Sequence, residues 1–251
     1  MQARIVAAAR GARWLGEGWR LFRAAPLGWI ALVFTYMLIT NILALLPFVG
    51  VVAALMLTPP FSVGFMATGR AVSRGARPEI GMLFDGFRHD LRAQIALGLV
   101  YLVCGLLVFA ATTLADEQGV LRSILAGQRP SEDSQVGDLA QPLAVLVLLY
   151  LPVMMMFWFS PPLAAWHSTG AAKALFFSFF ACVMNWRAFT AYGAVVAVAL
   201  FGLLFLVLSL AAHVSGGLPA MAFVFPLLLV MLPTLFASFY VSYRDVFGAD
   251  E

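Results

Sequence analysis

Six stretches of this chain run for roughly 20 residues each with no Asp, Glu, Lys or Arg: about Gly28 to Phe48, Gly50 to Thr68, Ala93 to Leu114, Leu143 to Trp166, Phe189 to Ala212 and Leu218 to Val241. A helix rises about 1.5 Å per residue, so each stretch matches a hydrocarbon core about 30 Å thick. An ionised side chain at the bilayer centre costs on the order of 2.5–3.5 kcal/mol, which accounts for the missing charges. The rest of the composition agrees. Of 251 residues, 63% are hydrophobic and 11% charged, against about 45–50% and about 25% in a soluble domain. Too little polar surface remains to cover a water-soluble globule. The reading is an all-α, polytopic transmembrane bundle of six spans, forming one transmembrane domain over residues 1–251.

The net charge of +3 does not point to nucleic acid, because the basic residues sit in short segments between apolar runs. Of the 15 Lys and Arg residues, 13 fall on one side: the N-terminal segment, the segments after the second and fourth runs, and the C-terminus. Only Arg122 and Arg129 fall on the other, in a loop over about 116–141 that also carries Asp116, Glu117, Glu132, Asp133 and Asp138. The positive-inside rule then makes both termini cytoplasmic in a bacterial inner membrane and the 116–141 loop extracytoplasmic. The first apolar run is followed almost at once by a second, unlike a cleaved secretory signal.

Three connecting segments are expected to be interfacial helices. At 100° per residue Leu15, Trp19 and Phe22 share one face, with Arg10, Arg13, Glu17 and Arg20 on another. Between Pro78 and Arg92, residues Ile80, Leu83, Phe84, Phe87 and Leu91 oppose Asp85, Arg88, His89 and Arg92. The segment Lys173 to Arg187 is Phe-rich and too short to span.

A pattern recurs in the even-numbered runs: Thr58-Pro59-Pro60-Phe61, Ser160-Pro161-Pro162-Leu163 and Leu232-Pro233-Thr234-Leu235. Asp90-Leu91-Arg92-Ala93 likewise resembles Asn185-Trp186-Arg187-Ala188. These suggest a threefold repeat over about 10–75, 78–172 and 173–247, each unit an interfacial helix and a hairpin whose second helix is broken by proline. Coincidence among common membrane residues is the rival explanation.

Trp19-Arg20-Leu21-Phe22, the Pro59-Pro60 and Pro161-Pro162 elements and Asn185-Trp186-Arg187-Ala188 resemble an uncharacterised family of multi-pass inner-membrane proteins of beta-proteobacteria. More distantly the pattern is similar to the membrane-anchor region of bacterial glycerophosphodiester phosphodiesterases. The resemblance implies an architecture and no reaction, since the soluble phosphodiesterase domain has no counterpart here.

Chemical motifs are sparse. There is no phosphate-binding glycine loop, no Gly-x-Ser-x-Gly elbow and no His-Glu-x-x-His pair. No metal or cofactor site is expected, and Cys104 and Cys182 read as small buried hydrophobes. Asp85 and His89, at i and i+4, could form a carboxylate-oriented base, although a solvated helix face explains them equally well. Arg70, Arg74, Arg88, Arg92 and Arg187 could bind an anionic headgroup, or could serve orientation alone. Proline breaks form sites in transporters but also occur as plain kinks. The preferred reading is a non-enzymatic protein in contact with membrane lipids, some anionic, or a scaffold for other membrane proteins. A transporter or channel for a neutral or amphipathic small molecule comes second, and a lipid-modifying enzyme third.

Overall fold

A computed structural model describes residues 3–128, 136–213 and 221–248. Ten α-helices follow in order: α1 (Ala8–Ala24), α2 (Pro26–Ala44), α3 (Val49–Ser73), α4 (Leu91–Leu114), α5 (Val120–Leu125), α6 (Ala140–Phe157), α7 (Ser160–His167), α8 (Ala171–Met184), α9 (Trp186–His213) and α10 (Met221–Phe247). Short 3-10 segments lie at Ile80–Phe87 and Val136–Leu139, and there is no strand among the described residues. Among the described residues, six segments are long and apolar enough to cross a membrane: α2, α3, α4, Gly137–His167 (spanning α6 and α7), Trp186–Val207 and Leu227–Phe247. The turn near 215–219 and loop residues Arg129, Glu132 and Asp133 lie outside the described residues.

Burial is concentrated at the end of the bundle where the termini meet. On α2 the buried residues are Trp29, Leu32 and Val33, on α3 they run from Pro59 to Val72 apart from Gly50, and on α10 Tyr240, Val241, Ser242, Tyr243 and Val246 are buried. At the hairpin tips, Leu45, Phe48 and Leu114 are about four-fifths exposed (78%, 88% and 82%). The bundle is closed at its basic end and spread at its hairpin end. In lipid, apolar surface alone does not draw helices together, so close packing and hydrogen bonds must do so, and both are found at the closed end.

Helix α1 packs into the bundle through a face other than the one expected to lie in the membrane interface, sharing with it only Phe22. Its inward residues are Gly11, Trp14, Gly18 and Phe22, while Trp19 is 40% exposed. Gly11 lies on the Ala188 backbone of α9, and a Cβ at Gly18 would fall 2.6 Å from the Thr234 carbonyl oxygen of α10. Seven residues apart, the two glycines mark one stripe that lets both neighbours approach to backbone contact, and Trp14 fills the wedge between them against Phe189 and Tyr192. The helix is therefore part of the bundle rather than laid on its surface.

The Pro78 to Arg92 segment also departs from expectation. It forms a 3-10 helix only over Ile80–Phe87, and Leu91 and Arg92 already belong to α4. Leu83 is fully buried, its backbone against Gly64 of α3, and Gly86 meets the Pro60 backbone. Phe84 and Phe87 pack edge-on to Phe61 at 6.0 and 5.3 Å. These apolar residues face α3, not lipid, because two glycines remove the Cβ atoms that would otherwise hold the two segments apart.

Helix α8, over the expected third segment, turns its small residues Ala174, Ser178, Ala181 and Cys182 inward and leaves Phe176 and Phe180 exposed. The order of elements is thus three times a short helical segment followed by a long hairpin. The expected proline breaks are not uniform. Helices α3 and α10 continue through Pro59-Pro60 and Pro233, and only the second hairpin is interrupted, between Phe157 and Ser160. There Ser178 of α8 substitutes for lost helix bonds: its hydroxyl accepts from the Phe159 N–H at 2.9 Å and donates to the Met155 carbonyl at 2.7 Å. Around Pro59-Pro60 and Pro233 the helix is continuous among the described residues, so a proline at those positions is accommodated within it.

Candidate functional site

Arginines crowd the closed end, and the fold divides them into two groups. Arg10 and Arg244 are used internally. Arg10 donates from Nε to Asp245 Oδ2 at 2.9 Å and from a terminal nitrogen to Glu17 Oε1 at 2.9 Å. Arg244 donates to Glu17 Oε2 at 2.6 Å, and the Trp14 indole N–H donates to Asp245 Oδ2 at 2.9 Å. Two carboxylates and two guanidiniums, joined by a buried indole, thus tie α1 to α10. The hydrogen bond to Asp245, and next to it the nearby negative charge, hold the Arg10 guanidinium above its ordinary pKa against the opposing effect of burial. Arg20 joins the edge of the network at 3.6 Å from Glu17.

The expected headgroup residues form the second group. Arg74, Arg88, Arg92 and Arg187 are exposed. Arg70 is half-buried with its guanidinium 4.3 Å from the centre of the Trp166 ring, a cation–π contact, and Arg187 lies 5.4 Å from Trp186. Arg92 and Arg187 stand in the first turns of α4 and α9, and neither turn carries an acidic residue. A cation at a helix N-terminus opposes the helix dipole, whereas an anion there would be favoured by both. On α4 the Asp90 side chain partly compensates, accepting from Ala93 N–H at 3.2 Å.

Asp85 and His89 meet chiefly through the main chain. The His89 Nδ1 is 3.0 Å from the Asp85 main-chain oxygen and 3.6 Å from its carboxylate, beyond hydrogen-bond reach. Arg70 stacks on Trp166, while Arg244 near the end of α10 is held by Glu17. No group of three metal-binding side chains occurs among the described residues.

Several residues that composition did not single out hold this end together. Asn185, in the break between α8 and α9, accepts from Val6 N–H at 2.8 Å and donates to the Arg4 carbonyl at 3.0 Å, fixing the N-terminal segment. The Tyr243 hydroxyl is 2.8 Å from His167 Nε2. Glu17 is the only acidic residue in α1, but its partner Arg244 lies 227 positions away.

Two cavities complete the geometry. A lateral, almost wholly apolar groove of about 510 Å³ runs between α6 and α9 over α10, from Trp186 to Val196, with Leu151, Met155 and Phe239 along it. A smaller cavity of about 190 Å³ lies where α2, α3, α4, α6 and α10 converge.

A probable inner membrane protein of Burkholderia thailandensis is 36% identical to this chain over 260 residues, covering 100% of this chain and 96% of its own length. The chain belongs to that inner-membrane protein family. The likeness extends over all six membrane-length segments and both termini, so this family member is a multi-pass membrane protein over its whole described length. No protein-family profile matches it and no solved structure matches it. The relative's name states a location and no reaction.

Proposed function

We propose that this family member is a non-enzymatic inner-membrane protein whose basic end faces the cytoplasm and holds anionic phospholipid, alone or as a scaffold for other membrane proteins. One observation carries this reading: the Arg187 guanidinium lies 5.4 Å from the ring of Trp186, which lines the apolar groove between α6 and α9. The groove follows α9 for about ten residues, about 15 Å at 1.5 Å per residue, which suits much of one acyl chain with its phosphate at Arg187. Arg74, Arg88 and Arg92 are further exposed cations. Each basic residue near an anionic leaflet contributes about 1 kcal/mol, falling off within a Debye length. The loose geometry of Asp85 and His89 supports the non-enzymatic reading. The threefold order of short helical segment and hairpin is read as an internal repeat, for which superposition of the three hairpins is the test.

Native mass spectrometry of the detergent-solubilised protein with phosphatidylglycerol tests the lipid assignment. Arg187→Gln, and separately Arg74→Gln, Arg88→Gln and Arg92→Gln together, are expected to lower the retained lipid in a salt-sensitive way. Undiminished retention in both would exclude these arginines as the contact. Reporter fusions at Ser73 and after Glu251 are expected to be active only as cytoplasmic reporters, and fusions at Gly127 only as exported ones. The reverse pattern would overturn the orientation.

A further inference from the structure

The cavity of about 190 Å³ at the convergence of five helices adjoins the lipid groove, with Met154, Trp158 and Phe239 as the shared wall, and differs from it in the hydroxyls that line it. Phe61, Phe65, Phe157, Trp158, Phe236 and Phe239 wall it, and no charged residue lines it. Three tyrosines, Tyr36, Tyr101 and Tyr150, supply its polar edge. Tyr36 and Tyr101 each come ten residues after the first residue of their helices, Pro26 and Leu91. At 1.5 Å per residue that is about 15 Å, half the thickness of the hydrocarbon core.

The hydrogen-bonding capacity of this edge is specific. The Tyr101 and Tyr150 hydroxyls are 3.2 Å apart, and within such a pair one O–H donates and the other remains free. The Tyr36 hydroxyl has no hydrogen bond among the described residues. Thr58 and Ser62, also lining the cavity, spend their protons on their own helix, donating to the Ala54 carbonyl at 2.9 Å and the Pro59 carbonyl at 2.7 Å. The wall therefore offers two O–H donors at membrane depth, where hydrogen bonding to bulk water does not compete. An apolar cavity of about 150 Å³ suffices for benzene, so this one has room for a single substituted ring. Aromatic walls favour a flat π-system in offset or edge-on contact. An ionic ligand is disfavoured because nothing in the wall would balance its charge.

We propose that this cavity is a binding site for an uncharged, ring-sized carbonyl compound of the quinone class, its ring among the phenylalanines and its carbonyl oxygens accepting from the tyrosine hydroxyls. The site is independent of the phospholipid reading. The test is equilibrium dialysis of the full chain in detergent micelles against duroquinone, with protein-free micelles to subtract partitioning. Durene, the same tetramethyl ring without carbonyls, is the matched probe. One equivalent of duroquinone is expected to bind more tightly than durene. Tyr36→Phe, and Tyr101→Phe with Tyr150→Phe, are each expected to weaken duroquinone about two- to tenfold, the worth of one net hydrogen bond, while leaving durene unchanged. These substitutions keep the rings in place, and elution as a single species in size-exclusion chromatography checks the fold. Met154→Trp, which fills the cavity, is expected to abolish binding of both probes. The proposal is overturned if duroquinone binds no better than to empty micelles, if it persists in Met154→Trp, or if the tyrosine variants hold it as tightly as the parent. Equal binding of durene and duroquinone would likewise refute carbonyl recognition and leave only an apolar filler.

Discussion

Arg10 and Asp245, 235 positions apart, meet through two guanidinium nitrogens on one carboxylate oxygen, at 2.9 and 2.5 Å. This contact, with Glu17 and Arg244, locks the first helix to the last. Asp245→Asn is expected to destabilise the protein by about 2 kcal/mol, below the range for breaking a fully buried pair because the side chains are partly exposed. Thermal unfolding in detergent measures it. Arg10→Gln should cost a comparable amount, and the double variant should cost less than the sum of the two. Strict additivity would show that the pair does not couple.

The stripe of Gly11 and Gly18 predicts a positional contrast along one helix. Gly11→Leu and Gly18→Leu would drive side-chain atoms into the backbones of α9 and α10, at the overpacking cost of about 1–3 kcal/mol or more, and should lower both yield and melting temperature. A Cβ added at Gly16 would meet nothing within 4 Å, so Gly16→Ala should stabilise by about 0.5–1 kcal/mol through helix propensity. Equal sensitivity at Gly11 and Gly16 would contradict the observed face.

Asp116 predicts a local pH dependence in the loop beyond α4. Burial pushes its carboxyl pKa up, but N–H bonds from Arg122 and Leu121, and the Arg122 charge, outweigh that and leave it below the ordinary 3.8. A lowered folded pKa means that the stabilisation is fully present above about 3.8 and is lost as pH falls through the folded value. Amide exchange at Leu121 and Arg122, corrected for intrinsic rate, should therefore be insensitive to pH above that point and faster below it. Asp116→Asn should abolish the step, and an unchanged step would assign it to another group.

The break between α6 and α7 predicts a large effect from a single hydroxyl. Ser178→Ala would leave the Phe159 N–H and one lone-pair site of the Met155 carbonyl without that partner, at a cost of about 1–3 kcal/mol. Cys182, 3.6 Å from the same carbonyl, is a weak substitute. Detergent melting of Ser178→Ala against Ser168→Ala, at the exposed turn after α7, would measure the contrast; equal melting would mean that the break is satisfied otherwise.

The length and composition of the apolar runs determined the six membrane-length helices, because hydrocarbon admits neither unpaired backbone nor unpaired charge, and both constraints act locally along the chain. Helix packing was less legible. Side-chain hydrophobicity put Leu15, Trp19 and Phe22 on one apolar face of an interfacial α1, of which only Phe22 is buried, whereas backbone proximity selected Gly11 and Gly18 as the contact with α9 and α10. In a bilayer the closeness of approach matters more than apolar area, so glycine carries the signal that a hydropathy count omits. The same substitution of glycine for bulk folded Ile80–Phe87 against α3. The exposed arginines could be read from the chain as a basic rim, but their division from Arg10 and Arg244 could not. Only the tertiary structure decided that Glu17 and Asp245 neutralise one pair, that the Asp85 carboxylate stands 3.6 Å from His89, and that three tyrosines from three helices line one cavity. The pairing of Glu17 and Asp245 and the tyrosine cavity depend on contacts between residues far apart in sequence, and such contacts leave no local pattern from which to be read. Asp85 and His89 are close in sequence, but their spacing depends on the 3-10 geometry that packing against α3 imposes.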